Sequence, residues 1–259
     1  LSMTTYALAA YAKNDRRSAE AGLKYFLYGA ACSAVMIYGM SILFGVTGGN
    51  TALTAIAANF TPEAAASGAA WVGLMFTLVG FGFKVALVPF QFWTPDTYQG
   101  APTPVTAFLS VASKAAGLAV LVRFLAVVFL PAMPAAMSIY WILVVLTALS
   151  MFYGNLVAIP QTNIKRMVAY SSIAQIGYMM IGALALLREI SPATIMTGVI
   201  QTSSVTPVSQ MSSEPWATQG LIIYVLAYLA MNIGAFSIVV ALGKRLGSDE
   251  ISRYSGLRK

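Results

Sequence analysis

Two lysines carry the chemistry this sequence can do. Lys84 and Lys114 each lie deep in an apolar run. The stretch that joins them, GFGFKVALVPFQFWTPDTYQGAPTPVTAFLSVASK from Gly80 to Lys114, holds Pro89, Pro95, Pro102 and Pro104. An ammonium at the centre of a membrane helix costs roughly 2.5–3.5 kcal/mol on insertion scales. Two of them on consecutive helices therefore need a reason. All eight acids, Asp15, Glu20, Glu63, Asp96, Glu189, Glu214, Asp249 and Glu250, fall in predicted loops or at helix ends, so no carboxylate occupies a helix centre to pair with them. Desolvation and a neighbouring cation both disfavour a charged amine, so such a pair can take up and release protons. The competing account is a structural lysine, paired with an acid or reaching to the interface. Reaching the interface suits a lysine within about two turns of a helix end, and neither position is.

Further polar groups accompany the pair. Glu20 and Lys24 stand i, i+4 at the start of a span, as an ordinary ion pair or a point where protons enter. Tyr170, Ser171, Ser172 and Gln175 make one helix unusually polar, which fits helix–helix hydrogen bonds or a water file. Pro89 lacks an N–H and deprives the Val85 carbonyl of its helical partner. Gly80 and Gly82 weaken the helix just before Lys84. Together these three predict a discontinuous helix with Lys84 at its break, a geometry tolerated at membrane depth where freed backbone lines protein or water.

The elements that must position these groups are membrane spans. Of 259 residues, 59% are hydrophobic and 9% charged, against about 25% charged in soluble domains, and mean hydropathy is +0.77. The chain reads as one all-α transmembrane domain, a polytopic helical bundle of six full spans and one partial one. The spans are expected at about 1–12 (partial), 24–46, 70–92, 104–129, 138–159, 164–187 and 219–243. Twelve residues cannot cross a core that needs about 20, so the sequence is expected to be an internal piece of a longer protein. Residues 50–69 read as a loop with an interfacial turn, and 188–218 as a long polar connection. Lys and Arg concentrate in 13–24, 160–166 and the segment after 244, which places those segments on the cytoplasmic side of a cell (inner or plasma) membrane. The connection 93–103 belongs on the same side yet carries only Asp96. The net charge of +7 is accounted for by these loops, without nucleic acid. With no histidine, one cysteine (Cys32) and no CxxC, the chain offers no disulfide, metal, haem or iron–sulfur site.

The motifs support a more specific reading. GFKVALVPFQFWTPDTYQGAPTPVTAFLSVASK, NLVAIPQTNIKRMVAYSSIAQIGYM at 155–179, and MNIGAFSIVVAL followed by ISRYSGL resemble the antiporter-like membrane subunits of NADH-quinone oxidoreductase (respiratory complex I), the subunit N or subunit 2 branch in particular. The resemblance covers essentially the whole chain, although FWTPD and GAPTPV recur in Mrp-type antiporters. It implies a subunit of about fourteen helices with two inverted five-helix repeats, of which this chain runs from late in the fifth helix to the loop after the eleventh. It implies that Lys84 and Lys114 are the proton-transfer lysines of the seventh and eighth helices. Lys24 matches a further lysine at the start of the sixth, and Glu20 an acid one turn before it. The family's fifth-helix glutamate would immediately precede Leu1, and its twelfth-helix lysine would follow Lys259. Where many relatives have histidine after VPF, this chain has Gln91, which can hold water but cannot relay a proton as imidazole does.

The expected activity is therefore that of a translocase subunit. Quinone reduction elsewhere in the complex drives protons through Lys84, water and Lys114. NADH, FMN, iron–sulfur clusters and quinone are expected in partner subunits of the membrane-bound complex, with no cofactor in this chain. The alternatives are a subunit of an Mrp-type cation/proton antiporter and a structural or receptor-like seven-span protein.

Overall fold

The structure, a computed structural model, describes residues 2–61, 63–64, 67–126, 133–190 and 216–255, with the side chains of 133–137 and 188–190 excepted. Its elements are α1 (Ser2–Ala9), α2 (Arg16–Val46), α3 (Leu53–Asn59), α4 (Gly68–Val85), α5 (Trp93–Gly100), α6 (Thr103–Phe124), α7 (Met133–Ala158), α8 (Ile164–Ile190) and α9 (Trp216–Leu246). Among the described residues six helices are long and apolar enough to span a membrane. The protein is an all-α, multi-pass membrane bundle.

Several boundaries move, each for a local reason. Helix α2 starts at Arg16 instead of 24, because Asp15 caps it by accepting a hydrogen bond from the Arg17 N–H, satisfying one of the free amides of the first turn. Lys24 consequently stands two turns inside a helix. The expected loop 50–69 contains α3, and the expected loop 130–137 already contains the start of α7. The polar connection is described only outside 191–215.

The expected span 70–92 ends at Val85, in a turn where the chain reverses. Ala86 adopts the left-handed conformation (φ 64°). The Leu87 N–H bonds to the Gly82 carbonyl and the Ala86 N–H to that of Phe83, the paired bonds of a Schellman ending. The break thus falls immediately after Lys84. Gly80 and Gly82 do not make it, however: both are helical and buried. A Cβ on Gly80 would sit 2.2 Å from Met36 Sδ, and one on Gly82 would sit 2.4 Å from the Phe90 ring. Their role is close packing. After the break the chain forms α5 where a loop is expected. This helix buries Trp93, Thr94, Pro95, Thr97 and Tyr98 against α2 and α8, and that tertiary burial outweighs its weak helix propensity.

Glycines set the main helix crossings. Where α2 passes α4, Gly39 lies against the Gly73 carbonyl. Where α7 passes α8, a Cβ on Gly154 would meet the Ala174 N–H at 2.5 Å and the Tyr170 carbonyl at 2.8 Å. Small residues allow such close backbone approach, which is the source of packing energy between helices in lipid.

Candidate functional site

Helix α6 is not α-helical throughout. Leu109–Ser113 form a π-helical turn that ends where Lys114 begins. Such turns insert one residue into the helical ladder and recur at functional sites. Lys114 is fully buried (0% exposed). Its Nζ donates to Ser172 Oγ at 2.7 Å, and Ser172 Oγ in turn donates to the Ala169 carbonyl at 2.7 Å. The amine also lies 5.6 Å from the centroid of the Tyr98 ring, within range for cation–π attraction. The floor of the site is closed by Tyr228 of α9, whose hydroxyl donates to the Ser110 carbonyl at 3.1 Å.

Lys84 occupies the last turn of α4, partly buried, and its Nζ donates to Ser2 Oγ of α1 at 3.3 Å. Its stem crosses α6 at Gly117, where an added Cβ would meet Lys84 Cγ at 3.1 Å. The two lysines are therefore brought onto adjoining turns of neighbouring helices. Among the described residues neither forms an ion pair with a carboxylate.

The polar residues of α8 separate. Ser172 holds Lys114. Gln175 accepts a hydrogen bond from Tyr224 of α9, the helix–helix role anticipated as one of its two readings. Tyr170 packs edge-on against Tyr153 and beneath Arg166, and Ser171 is only partly buried. Gln91 is 2% exposed. It stands at the turn leading into α5, where its backbone carbonyl accepts from the Thr94 N–H at 2.9 Å.

At the surface an acid that sequence reasoning left in a loop becomes a hub. Asp96 of α5 accepts from Lys24 Nζ at 2.9 Å and from Arg166 Nη1 at 2.7 Å, while Lys24 also pairs with Glu20 at 2.8 Å. This explains why 93–103 lacks basic residues of its own: it borrows cations from α2 and α8. The signal available in the sequence was that same exception to the charge count. Lys165 pairs with Asp249 at 2.9 Å, next to an antiparallel bridge between Asn163 and Glu250. The segments assigned to one side of the membrane thus meet there. A cleft of about 300 Å³ opens beside the hub, lined by Arg17, Glu20, Lys24, Asp96 and Gln99 among others.

Partial desolvation pushes the Asp96 carboxyl up, but hydrogen bonds from Lys24 and Arg166 outweigh it and hold it below the usual carboxylate range. A depressed pKa contributes stability that is present above the unfolded value of about 3.9 and is lost as pH falls through the folded one. Asp96→Asn is therefore expected to lower stability at pH 7 by about 1 kcal/mol, since the network is half-exposed and screened. It should also flatten the loss of stability below about pH 4. Thermal melts of the solubilised protein from pH 3 to 8 check both; a variant curve parallel to wild type would exclude the hub's contribution.

Comparison with known proteins identifies the family. The family described as NADH:quinone oxidoreductase/Mrp antiporter, TM, matches residues 1–206. An NAD(P)H-quinone oxidoreductase subunit 2 from Picosynechococcus is 44% identical over 99% of this chain and 43% of its own length. An NADH-quinone oxidoreductase subunit N from Heliobacterium modesticaldum is 43% identical over 99% of this chain and 47% of its own. A chain in the structure of respiratory complex I from Thermus thermophilus superposes with a TM-score of 0.64 at 35% identity, covering 93% of this chain and 44% of that one. The chain thus spans somewhat under half the length of these curated relatives. With the match extending from its first residue through α8, and the helices arranged as in a solved relative, the chain belongs to the NADH:quinone oxidoreductase/Mrp antiporter transmembrane family.

Proposed function

We propose that this chain is the lysine-bearing part of a proton-translocating membrane subunit of a quinone oxidoreductase complex. In this reading NADH or ferredoxin oxidation and quinone reduction occur in partner subunits, which hold the flavin, the iron–sulfur clusters and the quinone. This chain moves protons only. The observation that carries the reading is Lys114: an amine with no exposure, held by one serine hydroxyl and an aromatic ring, on the helix next to a second lysine. A permanently charged group in such surroundings would cost several kcal/mol, whereas one that alternates between charged and neutral can serve transfer. Intramembrane ionisable groups mark proton relays in pumps. Lys84 supports the same assignment, since its amine reaches Ser2, two residues beyond the place where the resemblance puts the family's glutamate. Quinone reduction then modulates Lys84, and the proton passes by way of water to Lys114.

The family also embraces Mrp antiporters, so a cation/proton antiporter subunit is the second reading; co-purification with flavin and quinone-reducing subunits separates the two. The test of the mechanism is Lys84→Ala in the assembled complex. Proton uptake into vesicles driven by quinone reduction should fall about a hundredfold, as expected for loss of a positioned proton carrier, with assembly retained. Normal uptake would remove Lys84 from the pathway.

A further inference from the structure

We infer that Tyr228 of α9 is a positioning residue for proton transfer: its hydroxyl holds the π turn of α6 and so keeps the Lys114 amine on Ser172. The inference rests on the proton-translocation reading above and extends it to a helix that carries neither lysine. It starts from the hydrogen bonds of the turn. In an α-helix each carbonyl accepts from the N–H four residues on, so the Ser110 carbonyl would take the Lys114 N–H. Here the Lys114 N–H bonds to the Val111 carbonyl instead. Ser110 is fully buried, and its carbonyl accepts from the Tyr228 hydroxyl at 3.1 Å. A backbone carbonyl in an apolar interior needs a partner, and α9 supplies one from outside the helix.

The placement of α9 serves both sides of the Lys114–Ser172 contact. Tyr228 meets α6 at Ser110, one turn before Lys114. Tyr224, one turn earlier on α9, donates to Gln175 of α8, about one turn after Ser172. A single turn of α9 thus ties the helix that bears the amine to the helix that bears its acceptor. Tyr228 is itself well fixed. It is 3% exposed, and its own carbonyl accepts from the buried Asn232 Nδ2 at 3.0 Å.

Between the two registers open to α6 the hydroxyl decides. Relaxing the turn to α register aims the Ser110 carbonyl along the helix at the Lys114 N–H, which costs the buried phenol its acceptor. Deleting the hydroxyl removes that cost. The turn is then free to relax, and Lys114 Nζ gives up its 2.7 Å bond to Ser172. No proton passes through Tyr228; it acts on the amine only through the backbone.

Quinone-driven proton uptake into vesicles, measured per assembled complex, tests this in Tyr228→Phe, Ser172→Ala and the double variant. Each single substitution should lower uptake about tenfold, less than the roughly hundredfold cost of misplacing a reacting group by about 1 Å. Both remove the same contact, so the double variant should also lose only about tenfold, a coupling that a packing role would not give. A loss of about a hundredfold in the double variant would mean that the two residues act independently, and would overturn the inference. Normal uptake in either single variant, with Lys84→Ala and Lys114→Met both deficient, overturns it too and leaves the lysine mechanism standing. If the two lysine variants also pump normally, the lysine mechanism falls and this inference with it. Replacing Tyr228 by para-aminophenylalanine keeps a donor at the end of the ring and should restore uptake; a deficit as large as that of Tyr228→Phe would overturn the role of the hydrogen bond. Should Tyr228→Phe fail to assemble, the amino variant decides alone: uptake at the wild-type level that Ser172→Ala still lowers upholds the inference, and a deficit overturns it.

Discussion

Lys114→Met should give a protein at least as stable as wild type that no longer moves protons. The two effects have opposite signs because they come from different properties of one side chain. Burying an amine costs several kcal/mol, and a single hydrogen bond to Ser172 returns about 1 kcal/mol of that. Methionine fills a similar length of pocket with flexible apolar atoms, so the melting temperature should hold or rise. Proton uptake should drop by about two orders of magnitude, the lower range for a positioned acid–base group. Lys114→Arg sharpens the result. Its guanidinium keeps the charge but does not release a proton in proteins, so it should fail as completely as methionine. Undiminished pumping by the arginine variant would mean that charge alone matters and that deprotonation plays no part.

The largest structural effect is expected at Gly39. A Cβ there would sit 2.6 Å from the Gly73 carbonyl oxygen, 2.7 Å from Phe76 Cβ and 2.7 Å from the Thr77 N–H. Two of those atoms belong to the α4 backbone and cannot swing aside. Gly39→Val must therefore force α2 and α4 apart, at a cost of about 3 kcal/mol or more, the upper end for overpacking. Because Lys84 rides on α4, the displacement also reaches the site. Reduced assembly and a lowered melting temperature are the expected outcome. Gly45→Ala, in the same helix with nothing within 4 Å of the added Cβ, should be neutral or slightly stabilising. Equal effects from the two substitutions would show that helix propensity, not the crossing, governs this position.

How legible these features were in the sequence follows from what each one depends on. The spanning helices and the two lysines were readable because both signals are compositional: long apolar runs, and a cost for charge that no single span can hide. The interruption after Lys84 was readable from Pro89, yet the residue that reverses the chain is Ala86, and nothing about an alanine announces a left-handed conformation. Gly80 and Gly82 misled because a glycine weakens a helix and also lets another backbone in close. Only the positions of Met36 and Phe90 decide between those roles. Helix α5 was hidden for the same kind of reason. Its TPDTYQG sequence is a turn by local preference, and its helicity comes from burial against α2 and α8. With α5 went Asp96 as a hub, whose partners lie 70 and 72 residues away in the chain, and Tyr98 as a neighbour of Lys114, which depends on how α5 packs. Ser172 was selected as part of a polar set, but the set is not a unit: one member grips the amine while Gln175 merely ties two helices.

The π-helical turn at Leu109–Ser113 has a geometric corollary. One additional residue in a helix swings everything beyond it by about 100° about the axis. The compass bearing of the amine is therefore set by how many residues precede it, whatever their kind. A shortening of that turn by one position could leave every apolar neighbour in the sequence intact and still point the nitrogen away from α8. The bearing is arithmetic, written in the spacing between Pro104 and Lys114.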